Sequence, residues 1–263
     1  MNYKLYKGTV DLEYIDSKHL YLVAGKKADG VTSVLQVLNK PALIYWAVNQ
    51  SIEYLEANLK PGIALDELQI KALLSEAKMA HRKKKDAAAD LGTMVHDWIE
   101  KYIKGENPTA FVNPIMKNSC DKFLKWEADH KVKFISSERI IYSKKLNYAG
   151  TFDFLAEING KLWIGDIKTS KGIWDEFWFQ TAAYRQAYSE ENRYIRISGE
   201  MIVRIGKDAD EMEIKCSTDS HVTPYQVNKN AFNHALKLYR TMEQLKVYKF
   251  QEHNGKKIER SQP

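Results

Sequence analysis

Residues 148–184 read YAGTFDFLAEINGKLWIGDIKTSKGIWDEFWFQTAAY, and this stretch carries the clearest fold signal in the chain. Two runs rich in β-branched and aromatic residues flank Asn159-Gly160, which is the strongest short-range signal for a two-residue β-hairpin. The register of such a hairpin places Asp153 directly opposite Asp166. Directly opposed residues share one face of a sheet, with their Cβ atoms about 4.5–5.5 Å apart. The stretch therefore predicts two antiparallel strands that bring two carboxylates together.

The two acidic side chains need a counter-charge, because like charges directly opposite each other destabilise a strand pair. A divalent cation between Asp153 and Asp166 removes the conflict, since hard cations take carboxylate oxygens as ligands. Lys168 follows Asp166 by two residues and so points to the same face, about 6.6 Å further along the strand. The side chain of Ile167 points away, while its carbonyl is a further oxygen ligand. The pattern predicts a metal site of two carboxylates beside one amine.

The hairpin strands are apolar on both of their faces. One face is predicted to hold Phe152, Phe154, Ala156 and Ile158, and the other Leu155, Leu162 and Ile164. A strand that is apolar on both sides is covered on both sides, which is typical of a sheet between two helical layers. We therefore predict an α/β fold with a central mixed β-sheet flanked by helices on both faces, and with a mainly helical N-terminal region.

The remaining pattern divides the chain into three parts. Residues 1–90 are predicted to form a strand and helical region, residues 91–250 the core that contains the sheet, and residues 251–263 a polar tail. Two separate helices are predicted on either side of the first boundary, one from Asp66 to about Ala89 and one from Leu91 to Lys104.

Composition narrows the class of protein. The chain has 263 residues, is 44% hydrophobic, and carries a formal net charge of +6, which suits a polyanionic partner such as nucleic acid. Cys120 and Cys216 are its two cysteines, so neither a disulfide scaffold nor an iron–sulfur cluster, which needs about four cysteine ligands, is expected. No apolar run of transmembrane length and no G-x-x-x-x-G-K-[ST] motif occurs, which predicts a protein without membrane contact or nucleotide cofactor.

Four short elements in one order resemble the PD-(D/E)XK nuclease superfamily, and more narrowly its RecB-like exonuclease branch. GTFD at residues 150–153 is followed by DIKT at residues 166–169. The branch has a Gln-x-x-x-Tyr helix after the lysine, which Gln180 and Tyr184 match, and an upstream Gly-x-x-x-His helix, which residues 92–96 match. The resemblance implies a restriction-endonuclease-like core and metal-dependent hydrolysis of DNA.

The resemblance also implies roles for the matched residues. Asp153 and Asp166 would hold one or two Mg²⁺ or Mn²⁺ ions, and Lys168 would position or deprotonate the attacking water and stabilise charge on the phosphate. Gln180 and Tyr184, one helical turn apart, would orient that lysine or contact the phosphate.

Three further residues are expected near the metal. By the resemblance, His96 is a metal ligand or orients the metal site. Glu100, one turn later, and Glu138, on a strand predicted over residues 134–142, would support the site from further away.

The N-terminal stretch from His19 is similar to that of phage-type and mitochondrial genome-maintenance-type exonucleases, in which an H-x-Y element precedes two helices. From the residues alone, His19 and Tyr21 are predicted to pack as ordinary strand residues.

Two features suit contact with nucleic acid. The basic run Arg82, Lys83, Lys84 and Lys85 could contact phosphates, although such runs are also common on solvated helix faces. Trp178, in the aromatic cluster of residues 174–179, could stack on a base or pack in the core.

These observations predict a metal-dependent exonuclease that acts from DNA ends and threads a single strand. Its predicted location is a bacterial or phage-infected cytoplasm, and replication or recombination proteins are possible partners.

Three alternatives stay open. The first is a structure-specific or sequence-specific endonuclease. The second is a non-catalytic nucleic-acid-binding recombination accessory protein that keeps the fold. The third is a basic α/β domain in which the Asp-x-Lys triplet is a coincidence.

Overall fold

The computed structural model describes residues 1–108, 110–206 and 212–253. Residues 254–263 of the predicted tail lie outside the described residues. The strands are β1 (Asn2–Leu5), β2 (Val10–Ile15), β3 (Leu20–Val23), β4 (Lys26–Gly30), β5 (Lys133–Ser143), β6 (Tyr148–Ile158), β7 (Lys161–Lys168), β8 (Gly199–Ile205) and β9 (Met212–Cys216). The α-helices are α1 (Val31–Val34), α2 (Pro41–Asn58), α3 (Glu67–Ile103), α4 (Pro114–His130), α5 (Asp175–Glu191) and α6 (Tyr225–His253).

The nine strands of the described residues form one mixed sheet. Along the sheet the order is β1-β2-β3-β4-β6-β7-β8-β9, and β5 also pairs with β6. The β4–β6 and β7–β8 pairs are parallel, and the others are antiparallel. The predicted central mixed sheet is therefore confirmed.

The hairpin that joins β6 to β7 keeps the predicted register as far as the pair of Phe154 and Gly165, and the predicted pair of Asp153 with Asp166 is not part of the ladder. Ile158 pairs with Lys161 across the turn, and the ladder continues without a shift. Asn159 and Gly160 have φ values of 51° and 71°. Two successive left-handed residues are what a type I′ turn requires, and Asn-Gly adopts them at low cost.

Gly165 is required by its cross-strand partner Phe154. A Cβ atom at residue 165 would lie 1.9 Å from the ring of Phe154, and the two residues are paired in the ladder. The aromatic ring thus lies directly over the glycine, where any side chain would collide with it.

Strand β6 has different neighbours along its length. On one edge β5 pairs with it from Tyr148 to Glu157. The other edge is therefore shared by β4, which pairs with Tyr148 and Ala149, and by β7, which pairs with residues 154–158. Residues 150–153 lie between these two neighbours, so the sheet forks at this part of β6.

The fork changes which face of the sheet the β6 side chains occupy. Phe152 packs in one core cluster with Leu155 and Ile164, whereas the Phe154 ring lies 6.1 Å from the ring of Trp126 on α4. The prediction that Phe152 and Phe154 share a face is therefore wrong. The reason is local, because the β5–β6 ladder omits one pair of residues, at positions 138 and 153. A break of this kind interrupts strict alternation of side chains.

Helices cover both faces of the sheet, as predicted. On one face the Phe152 ring lies 6.3 Å from the ring of Tyr184 on α5. On the other face Phe123 and Trp126 of α4 pack against Phe134 of β5. Within the described residues, no helix combines the length and the apolar character needed to cross a bilayer.

The N-terminal region combines strands and helices, as predicted, but contains more strand than expected. Residues 1–30 form four strands, and the α-helices begin at Val31. These strands pack Leu5, Leu12 and Ala28 against Ile140 of β5. Each strand is four to six residues long, which is too short for alternation to be recognised reliably in the sequence.

The chain forms two compact units, and they do not divide at residue 90. We call Met1–Leu38 together with the chain from Glu100 onward the core unit, and Asn39–Ile99 the helical unit. Helix α3 runs unbroken from Glu67 to Ile103, where two helices were predicted. Residues 86–91 read DAAADL, which contains neither Gly nor Pro, so nothing in them ends a helix.

Candidate active site

The candidate site lies where β6 separates from β7. The ladder between them ends at the pair of Phe154 and Gly165. Just beyond it, the backbone N–H of Ile167 donates a hydrogen bond of 2.5 Å to Oδ2 of Asp153. A side-chain carboxylate therefore joins the two strands at the point where their backbone ladder has ended.

Asp166 and Lys168 form a nearly buried ion pair. The Nζ atom of Lys168 lies 2.6 Å from Oδ2 of Asp166, and the two side chains are 19% and 2% exposed. Burial lowers the pKa of Lys168, but the carboxylates of Asp166 and Asp153 outweigh burial, so this pKa lies above its ordinary value. Lys168 is therefore an ammonium ion whose charge acts on both aspartates.

Gln180 of α5 joins the members of this ion pair. Its Oε1 atom accepts a hydrogen bond of 3.2 Å from Nζ of Lys168, and its Nε2 atom donates one of 3.3 Å to Oδ1 of Asp166. The same Nε2 atom donates to the Tyr184 hydroxyl over 2.7 Å. The side-chain amide thus fixes the acid, the amine and the phenol relative to one another.

Tyr184 reaches the site because Gly150 has no side chain. A Cβ atom at residue 150 would lie 2.7 Å from the Tyr184 ring, and Tyr184 is 2% exposed. Burial and the nearby Asp166 carboxylate raise the pKa of Tyr184 well above its ordinary value. The phenol is therefore neutral and held rigidly beneath the fork.

Glu138 of β5 lies close enough to the aspartates for their charges to interact. Its φ of 47° is left-handed, a conformation that costs roughly 1–3 kcal/mol for residues other than glycine and that occurs often at functional sites. Burial raises the pKa of Glu138 to about 8, and the carboxylates of Asp153, Glu100 and Asp166 add to the effect. The structure therefore brings both predicted supporting glutamates, at 138 and 100, into the electrostatic environment of the cluster.

Glu100 carries its own counter-charge. Lys104, one turn later on the helix, donates a hydrogen bond to Glu100 Oε1, and the side chains of Lys104 and Glu100 are 41% and 28% exposed. Lys104 also opposes the rise in the pKa of Glu138. The carboxylates of the cluster therefore have two nearby ammonium groups, those of Lys168 and Lys104.

Tyr21 belongs to this environment, although the sequence predicted only ordinary packing for it. Its hydroxyl lies 3.0 Å from Oγ1 of Thr151, within the part of β6 that neither β4 nor β7 pairs. Burial raises the pKa of Tyr21, the bond to Thr151 opposes this, and Glu138 adds to it. The H-x-Y element of the resemblance was the one signal that pointed to Tyr21.

Trp178 has the second of the two roles predicted for it, since it packs in the core. Trp178 is 6% exposed and packs within the protein, whereas Trp174, which precedes α5, is 52% exposed. Trp174 lies close to Gly172, where an added Cβ would sit 3.4 Å from the indole. Its carbonyl accepts the N–H of Phe177, and the Phe177 ring lies 4.8 Å from Nζ of Lys168.

The other predicted site residues lie in the helical unit. His96 is half-buried on α3, one turn after the buried Gly92, and its role as a metal ligand stays a prediction. In the basic run, Lys83 pairs with Glu76 and Lys84 lies 3.3 Å from Glu53. Arg82 and Lys85 are exposed. Phosphate contact by this run also stays a prediction.

The chemistry of the donor groups fits a hard divalent cation. Glu138, Asp153 and Asp166 offer carboxylate oxygens, the ligand type that Mg²⁺ and Mn²⁺ prefer. A divalent cation would also relieve the repulsion that contributes to the raised pKa of Glu138. Across the described ranges, no three His, Cys, Asp or Glu side chains are grouped as a ready-made metal site. At Asp166 a cation would compete with Lys168, and ligation by the Ile167 carbonyl stays a prediction.

Comparisons with known proteins do not assign a family. No protein-family model matches the chain, and no curated protein matches it. The solved structures that the chain resembles include one described as the crystal structure of SSO0001, with 13% sequence identity, coverage of 75% of this chain and 86% of that chain, and a TM-score of 0.32. A similarity at this level carries no conclusion about function.

Proposed function

We propose that the chain is a Mg²⁺- or Mn²⁺-dependent nuclease that hydrolyses phosphodiester bonds in DNA. One observation carries the proposal, namely that Asp153, Asp166 and the Lys168 ammonium lie where β6 and β7 separate, within electrostatic range of the Glu138 carboxylate. A sheet has no structural need to place Glu138, Asp153 and Asp166 within range of one another, and doing so costs free energy. Binding of a cation and a phosphate accounts for the arrangement.

The residues of the site have separable tasks. Asp153 and Asp166 would hold the metal, which when bound polarises the phosphate and lowers the pKa of a water molecule. Lys168 stabilises the negative charge that develops on the phosphate, because its raised pKa keeps it an ammonium ion. The sequence left open whether this lysine positions the water or removes a proton from it, and its charge state favours the first role.

Gln180 and Tyr184 position rather than react. The amide of Gln180 holds Lys168 through Oε1 and Asp166 through Nε2. Tyr184 in turn fixes that amide through a hydrogen bond of 2.7 Å. Prepositioned charges of this kind need no reorganisation during the reaction, which is the main source of electrostatic catalysis.

We propose that the nuclease acts in the cytoplasm. We also propose that it digests DNA from the ends, as in the branch that the chain resembles. Purified protein is incubated with Mn²⁺ and either linear or covalently closed circular DNA. We expect the linear form to disappear and the circular form to persist. Cleavage of the closed circle would favour the endonuclease alternative, and binding of both forms without cleavage would favour the accessory protein.

Metal binding should depend on the aspartates and not on the lysine. In isothermal titration with Mn²⁺, D153N is expected to weaken binding at least about tenfold, since changes around metal ligands typically cost 10–100-fold. K168M is expected to bind Mn²⁺ at least as tightly as the unaltered protein, because it removes a competitor that lies 2.6 Å from Asp166. If D153N and the unaltered protein give the same titration, the metal site is refuted.

Trp174 should bind single-stranded DNA by stacking. W174A is expected to weaken binding of a single-stranded oligonucleotide in EDTA by about tenfold, because one base–aromatic stack is worth roughly 1–3 kcal/mol. W174F should restore most of the affinity and W174L should not, since leucine is apolar but has no ring. Fluorescence anisotropy of a labelled oligonucleotide measures all three. Equal affinity for W174L and W174F would show that stacking is not involved.

A further inference from the structure

A cavity with several charged residues in its lining opens on the core unit, away from the carboxylate cluster. It has a volume of about 380 Å³ and lies where the turn between β1 and β2, the turn between β5 and β6 and the C-terminal end of α5 meet. Its charged lining consists of Lys7, Lys144, Lys145, Arg193, Glu190 and Glu191. Cations therefore outnumber carboxylates in the cavity by four to two.

Glu190 supports the frame of the cavity. Its Oε1 atom accepts a hydrogen bond of 2.9 Å from the backbone N–H of Lys145, and its Oε2 atom accepts one of 2.8 Å from the Ser143 hydroxyl. Both oxygens therefore hold the turn between β5 and β6. The ammonium group of Lys145 is not used in these bonds, and its side chain is exposed.

Glu191 supports the opposite turn in the same way. Its Oε1 atom accepts a hydrogen bond of 2.7 Å from the backbone N–H of Tyr6, and its Oε2 atom lies 3.9 Å from the guanidinium of Arg139. Tyr6, Lys7 and Gly8 have successive φ values of 53°, 57° and 85°. Left-handed residues other than glycine are costly and occur often where a protein clamps a ligand. Glu191 holds this strained turn in place.

The Lys144 ammonium contacts neutral groups in the cavity. The Nζ atom of Lys144 lies 3.0 Å from the Thr9 hydroxyl and 4.2 Å from the centre of the Tyr6 ring. Lys7, Lys145 and Arg193 are exposed, and none of the four cations forms an ion pair with any carboxylate in the part of the chain that the structure describes. The positive charge is thus available to an anion from solution.

Two independent measures give the distance from this cavity to the carboxylate cluster. On α5, Gln180 at the cluster and Glu191 at the cavity are eleven residues apart, which is about 16 Å of helix. On β5, Glu138 and Ser143 are five residues apart, which is about 17 Å of strand. At about 3.4 Å per nucleotide along a duplex, the separation corresponds to about five nucleotides.

We propose that this cavity binds a phosphate group, and that the phosphate belongs to the DNA strand about five nucleotides from the bond that is cut. The source of the phosphate rests on the proposed nuclease function, whereas the binding site itself does not. Lysine and arginine suit a phosphate because it offers several charged acceptor oxygens. The carboxylates hold the two turns that carry Lys7, Lys144 and Lys145, so the backbone that presents these cations is already in place before an anion binds.

The test removes two positive charges from the cavity and measures DNA binding. A control variant loses two positive charges at exposed positions outside the cavity. The variant is K145Q/R193Q, and the control is K131Q/K161Q, whose exposed lysines lie at the C-terminal end of α4 and at the tip of the β6–β7 hairpin. Binding of a fluorescent 20-nucleotide DNA is measured in EDTA, so that no cleavage occurs. We expect K145Q/R193Q to weaken binding at least tenfold and to reduce the salt dependence by about two counterions. The control should weaken it less than twofold.

A second arm separates the two sources of phosphate. Inorganic phosphate is titrated into the unaltered protein and into K145Q/R193Q by calorimetry. Loss of both phosphate and DNA binding supports the proposal. Loss of phosphate binding with unchanged DNA affinity overturns the assignment to DNA, and unchanged binding of both overturns the site.

A third arm keeps this proposal distinct from the nuclease proposal. Cleavage of a 20-nucleotide strand at low concentration should fall at least tenfold in K145Q/R193Q and should be unchanged in the control K131Q/K161Q. If no cleavage is found but DNA binding still depends on the cavity, the nuclease proposal fails and the phosphate site stands. A K145Q/R193Q protein that cuts the 20-nucleotide strand normally and binds DNA normally would refute the phosphate site.

Discussion

Replacing Asp166 by asparagine is expected to lower metal-dependent DNA hydrolysis by at least about a thousandfold while the protein stays folded. The substitution keeps the size of the side chain and removes its charge. That charge is 2.6 Å from the Lys168 ammonium, and the residue is 1% exposed, so no solvent replaces it. Single preorganised electrostatic groups are typically worth about 10²–10³ in rate. Because Asp166 would ligate the cation and also pairs with Lys168, we expect the loss of rate in D166N to lie at or above the top of that range.

Two further variants, K168M and E157Q, show whether the loss of hydrolysis in D166N is specific to the site. K168M should lose hydrolysis to a similar extent and keep Mn²⁺ binding, because the lysine stabilises charge and does not ligate metal. E157Q is the matched control, since Glu157 also lies on this hairpin and pairs with a lysine at 3.1 Å, but the pair is exposed. Digestion of end-labelled DNA with Mn²⁺ measures all three. A D166N protein that degrades DNA at the normal rate would falsify the assignment of the site.

Replacing Glu138 by glutamine is expected to stabilise the metal-free protein by about 4 kcal/mol near pH 8 and by little near pH 5. Burial and the neighbouring carboxylates raise the pKa of Glu138 from 4.5 to about 8. The folded protein therefore keeps a proton on Glu138 over a range in which the unfolded chain has lost it. Folding stability then falls as the pH rises from about 4.5 to about 8. Glutamine does not titrate, so the variant lacks this loss.

The measurement is urea unfolding of the unaltered protein, E138Q and E157Q in EDTA at pH 5 and pH 8. The gap between E138Q and the unaltered protein should widen at the higher pH, and E157Q should show no such widening. Mn²⁺ should stabilise the unaltered protein at pH 8 and have less effect on E138Q, since the glutamine offers no charge to the cation. A gap of the same size at both pH values would mean that Glu138 is not held protonated by its neighbours.

The hairpin could be predicted from sequence because its determinants are local. The Asn159-Gly160 turn sets a register that the structure follows to Phe154 and Gly165. The helical spacing of Gln180 and Tyr184 likewise predicted a shared face, and their side chains are joined by a hydrogen bond. Where turn chemistry or helix geometry fixes the neighbours of a residue, a single sequence is sufficient to locate them.

The fork could not be predicted, because it depends on contacts between distant strands. The alternation of polar and apolar residues along β6 does not indicate that residues 138 and 153 are left unpaired in the β5–β6 ladder. The left-handed φ of Glu138 is also unexpected for a glutamate within a strand. Tyr21 reaches the site from a strand about 130 residues earlier in the chain, through its contact with Thr151. Apart from the H-x-Y element of the resemblance, no local pattern pointed to this contact.

The sequence also could not predict which tryptophan of residues 174–179 is exposed. Trp178 lies on the stretch of α5 that is buried almost continuously to Tyr184, so its position within the helix decides its burial. Trp174 precedes the first helical residue, and helical periodicity says nothing about its direction. A cluster of aromatic residues in the sequence therefore indicated a stacking surface without identifying which ring is exposed.

The contact between Gly165 and Phe154 constrains how the gene can diverge. Any residue larger than glycine at position 165 would collide with the ring of Phe154. Position 165 can therefore change only if the aromatic residue at position 154 changes as well. Descendants of this sequence will retain both residues or exchange them in concert, even where the surrounding strand diverges beyond recognition. A co-varying glycine–aromatic pair eleven positions apart, on the two strands of a hairpin with an Asn-Gly turn, is therefore a signature by which remote relatives could be sought.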